Sequence, residues 1–298
     1  MKLLTYQYQG SQTVGVLDQP GEMITPVSAL GLRYPCMNSL ITHATKEELA
    51  RLRDAANASL PGAIPYADTE KAAPIPQPRQ DVICLGHNYL DHLKESARFK
   101  GMDVTEKPPA YATYFSKRVN QALPDGGEIE GHLDLDEQLD YEVELAVIIG
   151  KDAKKVSASQ VEDYIFGYTI INDVSARTLQ TRHKQYYLGK SLDGFTSMGP
   201  WIVTSDEFAF PLKLAISSYV NGELRQNSNT EHMLFSIPKI IEELSAGMTL
   251  QAGSIIATGT PAGVGMGFSP PRFLREGDVV ECVIEGIGRL RNRVGRGV

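Results

Sequence analysis

Short apolar runs and strict alternation of apolar with polar residues dominate the chain, and both are strand patterns. Tyr6/Tyr8 and Val14/Val16 alternate about a Gly10-Ser11 turn, which predicts a hairpin. Leu212 to Val220, the Asn221-Gly222 pair and the residues after it predict a second, because Asn-Gly supplies the positive φ that tight hairpin turns need. Ile255 to Thr258 reads as a buried strand and Val279 to Ile284 as another. Helices are few and short. Thr45 and Glu48 make a capping box ahead of Leu49 and Leu52, and Ser236 with Pro238 opens a helix that Gly247 stops. Ser159 and Glu162 predict another capping box, opening a short helix that Gly167 ends. Lys71 to Gln80 carries three prolines in alternation, which predicts an extended linker between a small N-terminal α/β unit, residues 1–74, and a main unit, residues 75–298. The class is α+β, predominantly β, with no strand-helix-strand repeat.

The run from Leu139 to Gly150 departs from this pattern by placing Glu142 and Glu144 inside a β-branched, apolar stretch. Residues i and i+2 of a strand share a face, so the two carboxylates point together while Val143 and Leu145 enter the opposite layer. Such neighbours repel unless one is protonated or a cation lies between them. A solvent-exposed strand face carrying Glu-x-Glu is the plain alternative. Tyr168 to Asn172 is a second β-rich run, and it delivers Asp173 at a strand end. Three carboxylates on neighbouring strands, with no Cys or His at ligand spacing, form an all-oxygen set for Mg²⁺ or Mn²⁺ and disfavour zinc.

Composition narrows the partners. The chain has 298 residues, enough for one large core or a large and a small one, and its net charge of −7 argues against nucleic acid. Cys36, Cys84 and Cys282 are far apart and match no Cys-x-x-Cys pattern, as buried thiols of a reducing compartment would be. No signal-peptide pattern or spanning apolar run is present, so a cytoplasmic location away from membranes is expected.

Other residues admit two readings each. His92 and Glu95, at i and i+3, meet on one side of a helical turn, where the carboxylate can orient the imidazole as a general base; a surface His and Glu would look the same. Lys190 is either a solvated surface residue or, beside three carboxylates, a donor to a developing enolate. Arg177, Gln180, Arg182, His183 and Lys184 follow Asp173 as a polar cluster that could bind a substrate carboxylate, or could be a solvated face or dimer contact. The glycine-rich stretch from Gly259 to Gly267 lacks the Gly-Lys-Ser/Thr ending of a phosphate loop and runs into Phe268 and two prolines rather than a helix, which excludes a nucleotide site.

Five ordered segments resemble the fumarylacetoacetate hydrolase superfamily: Gly86-His-Asn-Tyr-Leu-Asp-His92-Leu-Lys-Glu95, Asp140-Tyr-Glu-Val-Glu-Leu145, Asn172-Asp-Val-Ser-Ala-Arg177, Gly189-Lys-Ser-Leu-Asp193 and Thr258-Gly-Thr-Pro-Ala-Gly-Val-Gly265. The chain is most similar to bacterial members described as oxaloacetate decarboxylases or acylpyruvate hydrolases. The resemblance implies a roll of mixed β-sheets, a homodimer, and a mobile lid after Tyr89 that carries His92 and Glu95 over a Mg²⁺ site. It implies catalytic roles for His92, Glu95 and Lys190, metal ligation by Glu142, Glu144 and Asp173, and substrate contacts from Arg177, Gln180 and Thr260. It also implies that the glycine-rich turn brings Thr260 and backbone amides close to the ligand. Metal-dependent carbon-carbon cleavage of a small 2-oxo acid is the expected reaction, by acylpyruvate hydrolysis or oxaloacetate decarboxylation. An isomerase or hydratase acting on an unsaturated 2-oxo dicarboxylate, and a catalytically idle metabolite- or partner-binding member, are the alternatives. Two positions depart from the family pattern. Thr178 stands where an Asp is common, which removes a charge near Arg177, and His87 stands where Arg or Lys is frequent, which makes a carboxylate contact there weaker and pH-dependent.

Overall fold

The alternating segments pair into one sheet of eleven strands that interleaves distant parts of the chain. The computed structural model describes residues 1–58, 60–103 and 107–297. Across the sheet lie Ile64–Pro65, Met23–Pro26, Ser11–Leu17, Lys2–Tyr8, Thr196–Thr204, Ile165–Asp173, Val143–Ile149, Ile255–Ala257, Val82–Gly86 and Thr113–Lys117, with Glu70–Lys71 paired to Lys2–Tyr8 beside this path. Neighbours run antiparallel except Ile255–Ala257 and Val82–Gly86. A second sheet of five strands orders Glu223–Asn229, Ala215–Val220, Val279–Ile284, Gly288–Val294 and Glu128–Ile129.

The central strand Val143–Ile149 has no exposed face. Leu145, Val147 and Ile149 enter a core shared with Ile216, Val280, Cys282 and the helix Ile237–Gly247, whereas Ala146 and Ile148 enter a second core with Leu3, Val14, Val16 and the helices Met37–His43 and Lys46–Ala56. Burial on both faces explains the near-continuous apolar run, each such side chain contributing about 1.5–3 kcal/mol. This is the mixed-sheet, predominantly β class anticipated from the sequence. No helix among the described residues is long and apolar enough to cross a membrane.

Local signals fared unevenly. The Thr45/Glu48 capping box is present with both of its hydrogen bonds, and the helix Ile237–Gly247 has Ser236 as its N-cap. The second hairpin turns at Asn221 and Gly222, with φ of 51° and 80°. The first turns one residue earlier than expected, at Gln9 and Gly10, because Tyr8 pairs with Ser11. Ser159 opens no α-helix: a 3-10 helix spans Ala158–Tyr164 behind Ser157, which makes no capping bond. Nor does Gly167 end a helix. It lies inside Ile165–Asp173, where a Cβ would collide with the Val203 carbonyl oxygen, so its smallness serves close strand approach. The segment before the prolines joins the main sheet, with Lys2 opposite Val203 and Leu3 opposite Ile202. The proline stretch itself is packed, with Ala73 and Ile75 buried and the Pro74 carbonyl accepting from the Thr5 hydroxyl.

Candidate active site

The Leu139–Gly150 run is interrupted where its chemistry begins. Leu139–Asp140 pairs with Ser175–Ala176, Tyr141 and Glu142 lie outside both strands, and the main strand starts at Val143. Side chains cause the break: Asn172 Oδ1 accepts the Glu142 amide at 3.0 Å and Gln226 Oε1 accepts that of Val143 at 3.1 Å. Glu142 and Glu144 still converge. Their carboxylates and that of Asp173, which ends its strand opposite Thr196, offer oxygens all within 4.8 Å of one another, and all three residues are buried.

Three cations surround this triad. Lys190 Nζ donates to Glu142 Oε2 at 2.6 Å and Asp173 Oδ2 at 2.7 Å, and Lys117 Nζ donates to Asp173 Oδ1 at 2.7 Å and to the Val174 and Lys190 carbonyls. Arg177 lies 2.7 Å from Glu142 and 2.9 Å from Asp140. Burial opposes the Glu142 charge, but Lys190 and Arg177 outweigh it and hold that carboxyl far below the usual range. Glu144 goes the other way: burial, then Asp173 and Glu142, push its carboxyl well above the usual range. Lys190 is held charged by Asp173 and Glu142 against its own burial. A divalent cation fits this donor set, since it would replace the proton that crowding forces onto Glu144. The three carboxylates could hold such an ion, and no thiol or imidazole belongs to the group.

The second component is the helix Leu90–Phe99, on which His92 Nδ1 lies 2.7 Å from Glu95 Oε1 with both residues buried. Asn88 fixes the helix start: its amide donates to the Phe235 and Thr258 carbonyls and accepts the Phe235 N–H. The glycine-rich loop fixes the rest. Gly263 N–H donates to Glu95 Oε2 at 3.0 Å, and a Cβ on Gly267 would collide with that carboxylate. Gly259 N–H donates to Glu144, and the amides of Gly265 and Met266 to Asp140. These loop amides hold the chain's own carboxylates, while Thr260 of the same loop lines the cavity.

A narrow cavity of about 20 Å³ joins the parts, lined by His92, Glu142, Arg177, Gln180, Lys190 and Thr260 among others. Glu144, Asp173 and Glu95 do not line it; Asp173 reaches it through Lys190 and Glu95 through His92. Arg182, His183 and Lys184 are exposed and do not line it. Arg177 is oriented by Asp140, Glu142 and Gln180, so its place does not depend on a carboxylate at position 178. His87 lines the cavity as a neutral group: burial, then His92 and Lys100, push its pKa down to about 3, and Ser96 Oγ lies 3.0 Å from its Nε2. A neutral imidazole there offers a substrate carboxylate a hydrogen bond and not a charge.

Three participants escaped the sequence reading. Lys117 ends an alternating strand and carries no local signal of burial. Asp140 stood inside a recognised segment but read as strand. Gln226 bonds Val143, Ser218, Thr260 and the Pro261 carbonyl, partners so distant in sequence that its hairpin strand gives no local sign of the role.

Comparison with known proteins agrees with this arrangement. Residues 81–295 match the family model of the fumarylacetoacetate (FAA) hydrolase C-terminal region. Oxaloacetate tautomerase YisK of Bacillus subtilis is 48% identical over 223 residues, 75% of this chain and 72% of that protein. A fumarylacetoacetate hydrolase of Exiguobacterium antarcticum superposes with a TM-score of 0.83 at 37% identity, covering 99% of both chains. A 2-hydroxyhepta-2,4-diene-1,7-dioate isomerase of Mycobacterium marinum does so with a TM-score of 0.73 at 31% identity, covering 99% of this chain and 98% of that one. With the matched region holding the acidic triad, the His92/Glu95 pair and the glycine-rich loop alike, the chain belongs to the fumarylacetoacetate hydrolase family.

Proposed function

We propose that the chain catalyses metal-assisted enolisation of a small 2-oxo acid, with keto-enol tautomerisation of oxaloacetate as the leading reaction. The observation that carries this reading is the engagement of Glu95, one oxygen on His92 Nδ1 and the other on the Gly263 amide. Glu95 is thereby an orienting group, and His92 Nε2 is the atom left for a proton. His92 takes the C3 proton, and the electron pair of that bond becomes the C2=C3 double bond. Charge gathers on the keto oxygen beside Lys190, whose ammonium has three donors and spends two on Glu142 and Asp173. Protonation of that oxygen by water, with His92 returning its proton to water, completes the enol with no net change in protons, and the reverse sequence restores the ketone. A divalent cation held by Glu142, Glu144 and Asp173 would supply Lewis-acid polarisation of the 2-oxo acid. The 48% identity to an oxaloacetate tautomerase supports the substrate.

Carbon-carbon cleavage, expected first from the sequence, is the second reading, because decarboxylation and acylpyruvate hydrolysis release the same kind of enolate that Lys190 would stabilise. The similarity to the Exiguobacterium fumarylacetoacetate hydrolase favours keeping it. The decay of enol-oxaloacetate absorbance, followed with protein and Mg²⁺, tests both, with pyruvate and carbon dioxide assayed in parallel and acetylpyruvate as the hydrolysis substrate. Acceleration of enol decay without pyruvate release supports the tautomerase. Rapid pyruvate release would move cleavage to first place, and inactivity on both substrates would remove the 2-oxo acid reading.

A further inference from the structure

One cation at the active-site cavity has no part in the chemistry above. Lys100 caps the helix that carries His92 and Glu95, its amide donating to the Ser96 carbonyl, and its side chain lines the cavity mouth with Phe99, Gln180 and Thr181. Helical side chains lean toward the N-terminus of their helix, which directs this lysine back along the face that bears His92. The other two cations lining the cavity are each held by a pair of carboxylates, Arg177 by Asp140 and Glu142 and Lys190 by Glu142 and Asp173. No carboxylate among the described residues pairs with Lys100. Desolvation and the repulsion of Arg177 lower the Lys100 pKa with no acid to offset them, the mark of a cation without a counter-charge. His87, between Lys100 and His92, adds no charge of its own. The acidic groups lie deeper, with Glu142 bound to Lys190 and Arg177 and Glu95 bound to His92 and Gly263.

We propose that Lys100 receives the distal carboxylate of a short 2-oxo dicarboxylate and thereby selects dicarboxylic over monocarboxylic 2-oxo acids. The inference rests on the 2-oxo acid chemistry proposed above and adds the residue that sets its substrate class. The 2-oxo carboxylate end lies over the triad, and the second carboxylate extends to the mouth, where it supplies the missing counter-charge. A methyl group in its place would leave the ammonium unpaired.

The test compares oxaloacetate with 2-oxobutyrate, in which a methyl group replaces the distal carboxylate, by deuterium uptake at C3 in the Mg²⁺-loaded full chain. Wild-type protein should prefer oxaloacetate in kcat/KM. Lys100→Met should lower that preference about ten- to a hundredfold, mainly through KM for oxaloacetate, as loss of a charge-assisted hydrogen bond does. Lys100→Arg should retain most of it. A preference unchanged in Lys100→Met, or an equal fall for both acids, would overturn the proposal. Calorimetric titration with malate and 2-hydroxybutyrate reads the same contrast without turnover. If the wild type enolises neither acid, the parent reading fails, and tighter binding of malate that Lys100→Met abolishes would still uphold the carboxylate site. Equal affinity for the two in the wild type would sink it.

Discussion

Glu144 and His87 are each pushed toward the uncharged form for reasons visible in their surroundings, and each shift has a sign. Glu144 is raised by burial and by Asp173 and Glu142, so the folded metal-free chain binds a proton that the unfolded chain has released. Its stability contribution is fully present below the ordinary Glu pKa and declines as pH rises above it. Glu144→Gln should therefore raise the melting temperature of the metal-free protein at pH 8 while weakening Mg²⁺ binding in calorimetry. Lower metal-free stability in this variant would show that the carboxyl is ionised there. His87 has the opposite dependence. Its folded pKa of about 3 lies below the unfolded value near 6.5, so the unfolded chain binds the extra proton between these limits and stability falls as pH drops through that window. Asn, which tolerates the φ of 55° at this position, should flatten the acid limb of the stability curve by a few kcal/mol at most in His87→Asn. Urea melts at pH 4, 5 and 7 would measure it, and parallel acid limbs in the two proteins would contradict the assignment.

At the scale of elements, the glycine-rich loop and the helix Leu90–Phe99 behave as one unit because the loop grips Glu95. Gly267→Ala should displace that carboxylate and cost on the order of 10²-fold in kcat, the usual penalty for a catalytic group moved by about an ångström, with circular dichroism unchanged. Full activity in this variant would mean that the contact does not position the pair. The same elements mark how far sequence reasoning reached. The triad and the His92/Glu95 pair were legible because alternation and helical spacing place their side chains on defined faces. The Glu142 break, the burial of Lys117 and the clasp on Asp140 were not, since each depends on partners distant in sequence: Asn172 and Gln226, Asp173, and the amides of Gly265 and Met266. Ser159 and Gly167 misled for the converse reason. Their local signals are genuine, but tertiary packing against Val203 overrides the glycine's capping use.

The whole molecule brings three carboxylates, three cations and the dyad together from both sheet and loop, and a divalent ion would complete the charge pattern. Dialysis against EDTA should abolish turnover and Mg²⁺ or Mn²⁺ should restore it; undiminished turnover after exhaustive chelation would remove the metal from the mechanism. A homodimer is proposed from the family resemblance, and light scattering should give about twice the 32.7 kDa chain mass. The parallel pairing of Ile256 with Ile83 carries a further consequence, for biosynthesis. A nascent chain that has emitted Glu142, Glu144 and Asp173 still lacks the strand that closes the sheet beside them and the Gly259 amide that receives Glu144. Until some 85 further residues have been translated, those acids hang on an incomplete scaffold. A divalent ion held by the triad would therefore be retained only late in synthesis, and ribosome-arrested chains truncated before Ile255 should fail to retain Mg²⁺ that the full chain is expected to bind.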